Sequence, residues 1–401
     1  MNRIFCKLWN AERGMVVVAS EFAKAKGKGK GARLLQAVTL VSALVAPHVL
    51  MAQAVGGGQA TEPANTAISP LAAACADVAS EVAQATGYIS VAIGCGSNAS
   101  GDASSAVGVG ALASGPGNLA VGALSSAAQT QSTALGFSST AAADGATAVG
   151  AASTAAGNNA TANGFGTVAS GAGATAVGAE SNAGGDYATA LGLAAQAIGT
   201  SSTALGEFSL ATGEESTAVG GSALGGFYQT EAQGTGGSAF GNGAWANGEY
   251  TTALGYLSSA DAQGAIALGA GAWAQEENTA ALGFNASAAA ANSVALGAYS
   301  VADRENSLSV GDVGGERQIT NLAAGTEDTD AVNKAQLDAV AATAETTSKY
   351  FQASGSNDSD AGAYAEGADA TAAGEATNAI GVGASAYGSG AQAFAEGATA
   401  T

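Results

Sequence analysis

The chain is poor in the residue types that build a conventional core or a conventional active site. Its 401 residues include 4 Pro, 3 Trp, 9 Tyr, 10 Phe, 3 Cys and a single His. So few large side chains exclude an interior packed around aromatics. The one His, His48, lies in an N-terminal stretch with the pattern of an export signal, so the exported remainder has no Ser-His or Cys-His nucleophile pair and no His-rich metal site. Bases are nearly as scarce. Arg3, Lys7, Arg13, Lys24, Lys26, Lys28, Lys30 and Arg33 are followed by none until Arg304. Beyond residue 33, four bases face thirty acids, a surface that repels phosphate backbones and excludes a nucleic-acid partner. What is abundant is Gly, 60 residues, about twice the usual ~7%.

The N-terminal segment reads as a signal. The apolar run Leu34 to Ala46 is closed by Pro47 and followed by Ala52-Gln53-Ala54, an A-x-A cleavage site. The run is shorter than the ~20 residues a membrane span needs, so export is expected rather than anchoring. Cleavage there leaves Cys75 and Cys95, which pair with each other or between chains; the sequence favours neither. Because Cys75 precedes the regular array and Cys95 follows its first Gly, a staple at the tip is the working expectation.

The middle of the chain is an array. Ala-(Val/Leu/Ile)-Gly recurs with Gly at 94, 108, 122, 136, 150, 164, 178, 192, 206 and 220, then at 241, 255, 269, 283, 297 and 311. Every step is 14 residues except one of 21, a register that disorder does not keep. Positions three and one before each Gly share one face of an extended chain, and the Ala between them faces the other way. The first of these columns holds Thr133, Thr147, Thr161, Thr175, Thr189, Thr203 and Thr217, β-branched residues suited to strands. A second Gly recurs half-way, at 115, 157, 171, 185, 199, 213, 234 and 248. The expected unit is therefore two strands of about five residues joined by two tight turns, with Gly supplying positive φ. Stacked at ~4.8 Å, these turns make a rod about 75 Å long. The 21-residue step adds half a unit, which either loops out or exchanges the faces. Each turn is too thin to bury both faces of both strands, so an apolar face calls for self-association along the rod, of an order that the physics leaves open.

The stretch Asn292-Ser293-Val294-Ala295-Leu296-Gly297-Ala298-Tyr299-Ser300 resembles the head repeat of the YadA-like trimeric autotransporter adhesins. Residues Asp303 to Gly311 and Glu316 to Leu337 resemble that family's neck, and Met1 to Lys30 resembles its extended signal peptide region. The resemblance implies an all-β fold, a left-handed parallel β-roll of 14-residue turns, assembled as an obligate homotrimer with a neck and a short trimeric coiled-coil stub. The expected divisions are an extended signal peptide 1–54, a cap segment 55–90, a head 91–302, a neck 303–336, a coiled-coil stub 337–350 and the start of a second head 351–401. It also implies a surface adhesin that attaches bacteria to host cells or extracellular matrix, with autoaggregation or biofilm formation as further roles. Membrane contact is expected only through a C-terminal anchor, which the residues to Thr401 do not include.

Within that frame, Asn292, Ser293, Val294, Leu296 and Ser300 are matrix-binding candidates by resemblance. Trp245 and Trp273, 28 residues apart, fall in one column two turns apart and suit a protein or glycan ligand as well as chain packing. Arg304, Glu305, Glu316 and Arg317 are candidates for intersubunit salt bridges where the roll narrows. From Ala331 to Lys349 a short helix is expected, with Val332, Leu337 and Val340 as its apolar residues. The resumption of Gly spacing at Gly367 and Gly381 predicts a return of the same motif. No catalytic residue, cofactor or metal site is expected. One rival is an ice- or mineral-binding solenoid displaying the Thr column, which the aliphatic residues elsewhere in that column argue to face inward. The other, a polysaccharide-lyase solenoid, needs bases that are missing between Arg33 and Arg304.

Overall fold

The computed structural model describes residues 5–10, 15–20, 53–55, 58–62, 64–69, 82–350 and 362–401. The signal run at 34–46, His48 and Cys75 lie outside the described residues. Phe5–Asn10 and Met15–Ser20 pair as an antiparallel hairpin.

The array is a parallel β-solenoid. Strands of three residues and strands of two alternate along the chain, and each pairs with the equivalent strand one turn away. They form two ladders of eighteen and seventeen described strands. The three-residue ladder runs open from Gln53–Val55 at one end to Leu308–Ser309 at the other. Strands at Thr66–Ile68 and Gln84–Ala85 already belong to these ladders, so the same architecture runs N-terminally of residue 91.

The strands are shorter than the five residues expected, because corners occupy more of each turn. The loss is offset by bonding at the corners themselves. In one unit the amides of Thr133, Gly136, Ser138, Thr140, Ala142 and Gly145 donate to carbonyls of Ala146, Val121, Ala123, Ser153, Ala155 and Thr130, all in adjacent turns. Few backbone groups are left for side chains to satisfy.

The interior lies between the two sheets and is made almost wholly of small residues. Ala134, Ala141, Ala148, Ala155, Ala162 and their equivalents are fully buried, and the largest fully buried side chains are Asn and Thr. Several buried Ser hydroxyls are absorbed by the corners: Ser125, Ser139, Ser153, Ser181 and Ser209 each donate to the carbonyl of the Gly three residues before, at 2.8–3.1 Å, whereas those of Ser90, Ser104, Ser202 and Ser293 are buried without a partner among the described residues. This corrects the expected sense of the Thr column. Ala faces inward, and the Thr and aliphatic residues on either side of it face out. The fully buried Thr and Asn sit at the corners, and between the strands themselves the interior is filled by Ala, the smallest residue of each strand.

In both Gly columns a Cβ would collide with the backbone one turn on, but only one of them also needs positive φ. Gly136, Gly150 and their equivalents hold φ between +114° and +148°, as expected. The half-way glycines do not, which corrects the prediction of positive φ there. A Cβ on Gly157, Gly171, Gly185 or Gly199 would collide with the backbone carbonyl one turn on. The positive φ of those corners falls two residues later, on Asn159, Tyr187, Ser201 and Glu215 among others.

The 21-residue step loops out and leaves the register intact, since Thr217–Val219 pairs with Ser238–Phe240 and Leu210–Ala211 with Glu231–Ala232. The excursion turns back on itself through a bridge between Ala223 and Tyr228, with Gly225 and Gly226 at φ +71° and +101°.

The chain divides into two units, 1–316 and 317–401. In the second, a helix runs from Lys334 to Tyr350. It begins later than residue 331 because Asn333 caps it. The Gln336 amide donates to Asn333 Oδ1 at 3.1 Å, and Gln336 Oε1 accepts from the Asn333 amide at 3.2 Å, a reciprocal capping box. Gln336 also exchanges two 3.0 Å bonds with Gly325, which ties the preceding loop to the helix start. Residues 364–400 then form two three-stranded parallel ladders of the same kind. Here the phase differs from expectation: Gly374 and Gly388 carry the positive φ, whereas Gly367 and Gly381 are close-approach glycines, so Ala379-Ile380-Gly381 belongs to the short-strand column.

Candidate functional site: an aromatic cleft on the short-strand face

The two outer faces of the solenoid differ in chemistry. On the three-residue strands the outward positions are aliphatic, aromatic or small and polar, and none is charged: Leu119/Val121, Thr133/Leu135, Thr203/Leu205, Thr252/Leu254, Ile266/Leu268 and Val294/Leu296 are typical. Leu254 and Leu268 are 46% and 45% exposed in the single chain. The two-residue strands instead present Asn98, Thr140, Asn182, Gln196, Glu231, Ser259 and Ser287 together with Trp245, Trp273 and the aliphatic Leu112, Val168, Leu210 and Val301, a face that mixes polar, charged, aromatic and aliphatic side chains.

The looped-out segment builds a cleft on that second face. Its volume is about 370 Å³, and its lining includes Leu224, Tyr228, Trp245, Leu257, Asp261 and Trp273. The Thr230 hydroxyl lies 2.8 Å from both the Gly221 and Gly241 carbonyls, pinning the loop's return beside Gly243. Tyr228 packs on Trp245 with ring centroids 5.6 Å apart. Trp245, Ser259 and Trp273 occupy consecutive register positions, so the expected column of two Trp two turns apart is present. Both indoles are oriented by hydrogen bonds: Trp245 Nε1 donates to the Gln229 carbonyl at 2.9 Å, and Trp273 Nε1 donates to Asp261 Oδ2. Asp261 Oδ1 accepts from Ser259 Oγ at 2.6 Å and from Asn247 Nδ2 at 2.8 Å.

Sequence reasoning missed Tyr228, Asn247, Ser259 and Asp261. The signal that reaches them is the coincidence of the 21-residue step with the Trp pair, and Asp261 shares the outward face of Ser259, midway between the two Trp.

The candidates at 292–300 are not brought together as one surface. Ser293 and Ser300 are fully buried, with Ser300 Oγ donating to the Gly297 carbonyl at 2.7 Å, so neither hydroxyl reaches a ligand. Asn292 holds a corner at φ +56°, and Asn278 Nδ2 donates to its Oδ1 at 3.4 Å. Val294 and Leu296 face out from the aliphatic sheet.

Of the neck residues, Glu316 accepts from the Gly314 amide at 3.0 Å, and this bond together with its own backbone amide holds its carboxyl below the usual range. Asp330 is lowered likewise by the Thr326 and Glu327 amides. A described ion pair, Lys334 with Asp338, runs along the helix at 2.7 Å and is exposed on both sides. Cys95 is disulfide-bonded. Among the described residues, no cluster of three or more metal-ligating side chains occurs, and no helix is long and apolar enough to cross a membrane.

Comparison with known families places these features. Nine stretches between residues 85 and 312 match the YadA head domain repeat, together covering more than half of the chain. Residues 318–360 match the coiled stalk of trimeric autotransporter adhesins, and residues 1–50 match the extended signal peptide of the type V secretion system. A crystal structure of the collagen-binding domain of the Yersinia adhesin YadA is 26% identical, over 58% of this chain and 86% of that one, with a TM-score of 0.21. No curated protein matches the chain.

Proposed function

The chain belongs to the YadA-like trimeric autotransporter adhesins, and from that premise we propose that three copies pack through the uncharged face of the three-residue strands and present the mixed short-strand faces to host cells and extracellular matrix. As a passenger of this class it is exported to the bacterial cell surface and outer membrane.

The observation that carries the proposal is the asymmetry between the two faces. Uncharged aliphatic residues in nearly every turn of one sheet, interrupted at Asn163, form an apolar strip in which Leu135, Leu191, Leu254, Leu268 and Leu296 are nearly half exposed in a single chain, a surface that water disfavours. Covering each Leu fully contributes up to roughly 1.5–3 kcal/mol. Val332, Leu337 and Val340 are similarly exposed and suit a coiled-coil continuation of the same assembly. The neck candidates Arg304, Glu305, Glu316 and Arg317 then serve as intersubunit partners, and three copies of each surface site give avidity to weak single contacts. Autoaggregation and biofilm formation follow where the same faces meet between cells. Cys75 is the partner we assign to Cys95.

Light scattering of the signal-free chain across a dilution series tests the assembly. A constant mass of three chains is expected, and a monomer overturns it. Binding to plates coated with matrix proteins, or to host cells, tests the adhesive role. A second reading, ice or mineral binding, regains ground from the outward Thr column; a solution without thermal hysteresis removes it.

A further inference from the structure

The cleft beside the looped-out segment combines aromatic rings with carboxylates and no base in range. Tyr228, Trp245 and Trp273 all line it, with Tyr228 packed on Trp245. The two Trp backbones stand two interstrand steps apart, roughly 10 Å, with only Ser259 between them. The gap between the two anchor points is thus wide enough to admit one small cationic group over Ser259, beside the indoles whose faces attract such a charge. The walls are fixed in advance, because each indole N–H is already held by the protein.

The charge points the same way. Asp261 accepts only from the neutral donors Asn247, Ser259 and Trp273, so its charge is bonded but not neutralised. Glu231 adjoins Trp245 in the same column. Residues 34–303 contain no Lys or Arg. An anionic ligand, such as a sialylated or sulfated glycan, is repelled. A neutral sugar finds the carboxylate's acceptors largely taken, with Leu224 and Leu257 elsewhere in the lining. A peptide strand finds no free edge, because the strands of the floor are paired on both sides. The complement to aromatic and aliphatic walls over an uncompensated carboxylate is a cation with an apolar shell.

We propose that this cleft binds a quaternary ammonium group of the choline type, clasped between Trp245 and Trp273 with Tyr228 alongside and Asp261 beneath. The inference rests on the assembly reading only in requiring that the short-strand face stay open. Asp261 acts as a positioning residue for Trp273 as well as a counter-charge.

The test titrates the full chain with choline chloride, following Trp fluorescence and ligand saturation-transfer NMR, against the neutral isostere 3,3-dimethylbutan-1-ol and against glucose. Saturable choline binding is expected, with the isostere about tenfold weaker or more. Trp273→Ala is expected to abolish it, Trp273→Phe to retain part of it, and Asp261→Asn to weaken choline while sparing the isostere. Equal affinity for choline and its isostere, preference for glucose, or choline binding unchanged in both Trp273 variants overturns the proposal. Light scattering on the same samples separates the two readings. A trimer that adheres yet ignores choline sinks this inference alone, and a monomer that binds choline sinks the assembly alone. With choline binding established, retention on phosphatidylcholine vesicles but not phosphatidylglycerol vesicles identifies a lipid head group as the source, whereas capture by a trimethyl-lysine peptide and not by the vesicles assigns the group to a modified protein instead; absence of choline binding overturns the proposal whatever the other probes show.

Discussion

At the scale of single residues, the fold is set by which positions cannot carry a side chain. Gly157 has ordinary φ but sits where a Cβ would meet the Gly171 carbonyl of the next turn. Gly166 has φ +62° with only the Glu180 side chain nearby, and equivalent corners hold Leu124, Ser138, Glu180 and Asn285 at φ between +49° and +59°. The two glycines should therefore respond oppositely to substitution. Gly157→Ala is expected to lower stability by about 2 kcal/mol or more, as overpacking against backbone does. Gly166→Asn, which tolerates the left-handed region, is expected to stay within about 0.5 kcal/mol. Urea unfolding midpoints of the two variants check the pair, and a Gly157→Ala variant as stable as the parent would mean that close approach does not govern that column. The 14-residue register made both Gly columns legible in the sequence, but not that only one of them needs positive φ. A Gly needed for space alone and a Gly needed for space and φ look identical until the neighbouring turn is in place.

At the scale of elements, the sequence made the turn, the array and the helix legible, and misread what depends on distance between layers. Strand alternation showed that Ala134 and Thr133 lie on opposite faces, but not which of them is inside. Both are compatible with burial, and the inter-sheet gap decides in favour of Ala. The cleft was half legible, through Trp245 and Trp273, because its other residues come from a loop whose path no periodicity describes. The helix start was misplaced by three residues because its cap is a reciprocal pair, Asn333 with Gln336, not a change in hydrophobic pattern. Asn333→Ala should cost that element about 1 kcal/mol, read as lost helical circular dichroism and faster amide exchange over residues 334–338. The loop before it carries a pH dependence of known sign. Amide bonds from Thr326 and Glu327 depress the folded pKa of Asp330, so its contribution is complete above the ordinary carboxylate pKa, about 4, and is lost as pH falls through the lower folded value. The Thr326 and Glu327 amide proton shifts are expected to hold steady from pH 7 to about 4 and to move together below it; movement near neutrality would assign the loop's order to another group.

At the scale of the whole molecule, two attractions compete to explain assembly, and salt separates them. The chain carries a net charge of −20, and the carboxylates of the solenoid lie in its corners and short-strand face while the outward positions of the long-strand sheet have none. Three such chains brought together repel through every part except the aliphatic strip. If the strip holds them, raising ionic strength from 0.01 to 0.15 M, which shortens the screening length from roughly 30 to 8 Å, removes repulsion and leaves the apolar contact untouched. Dissociation on dilution should then diminish as salt rises. If the neck ion pairs around Arg304, Glu305, Glu316 and Arg317 hold them, the same change weakens the attraction and dissociation should increase. We expect the first outcome, because exposed ion pairs contribute at most about 1 kcal/mol each while the strip recurs in nearly every turn. Leu254→Glu together with Leu268→Glu adds a desolvated charge to each chain in the middle of that strip and should convert the assembly to monomer at every salt concentration. Leu210→Glu on the opposite face, beside Glu231 in the ladder, should leave the mass unchanged. Sedimentation velocity on the three proteins at both ionic strengths reads all of these arms. A long-strand variant that remains assembled would locate the interface on the short-strand side and, with it, close the cleft at Trp273.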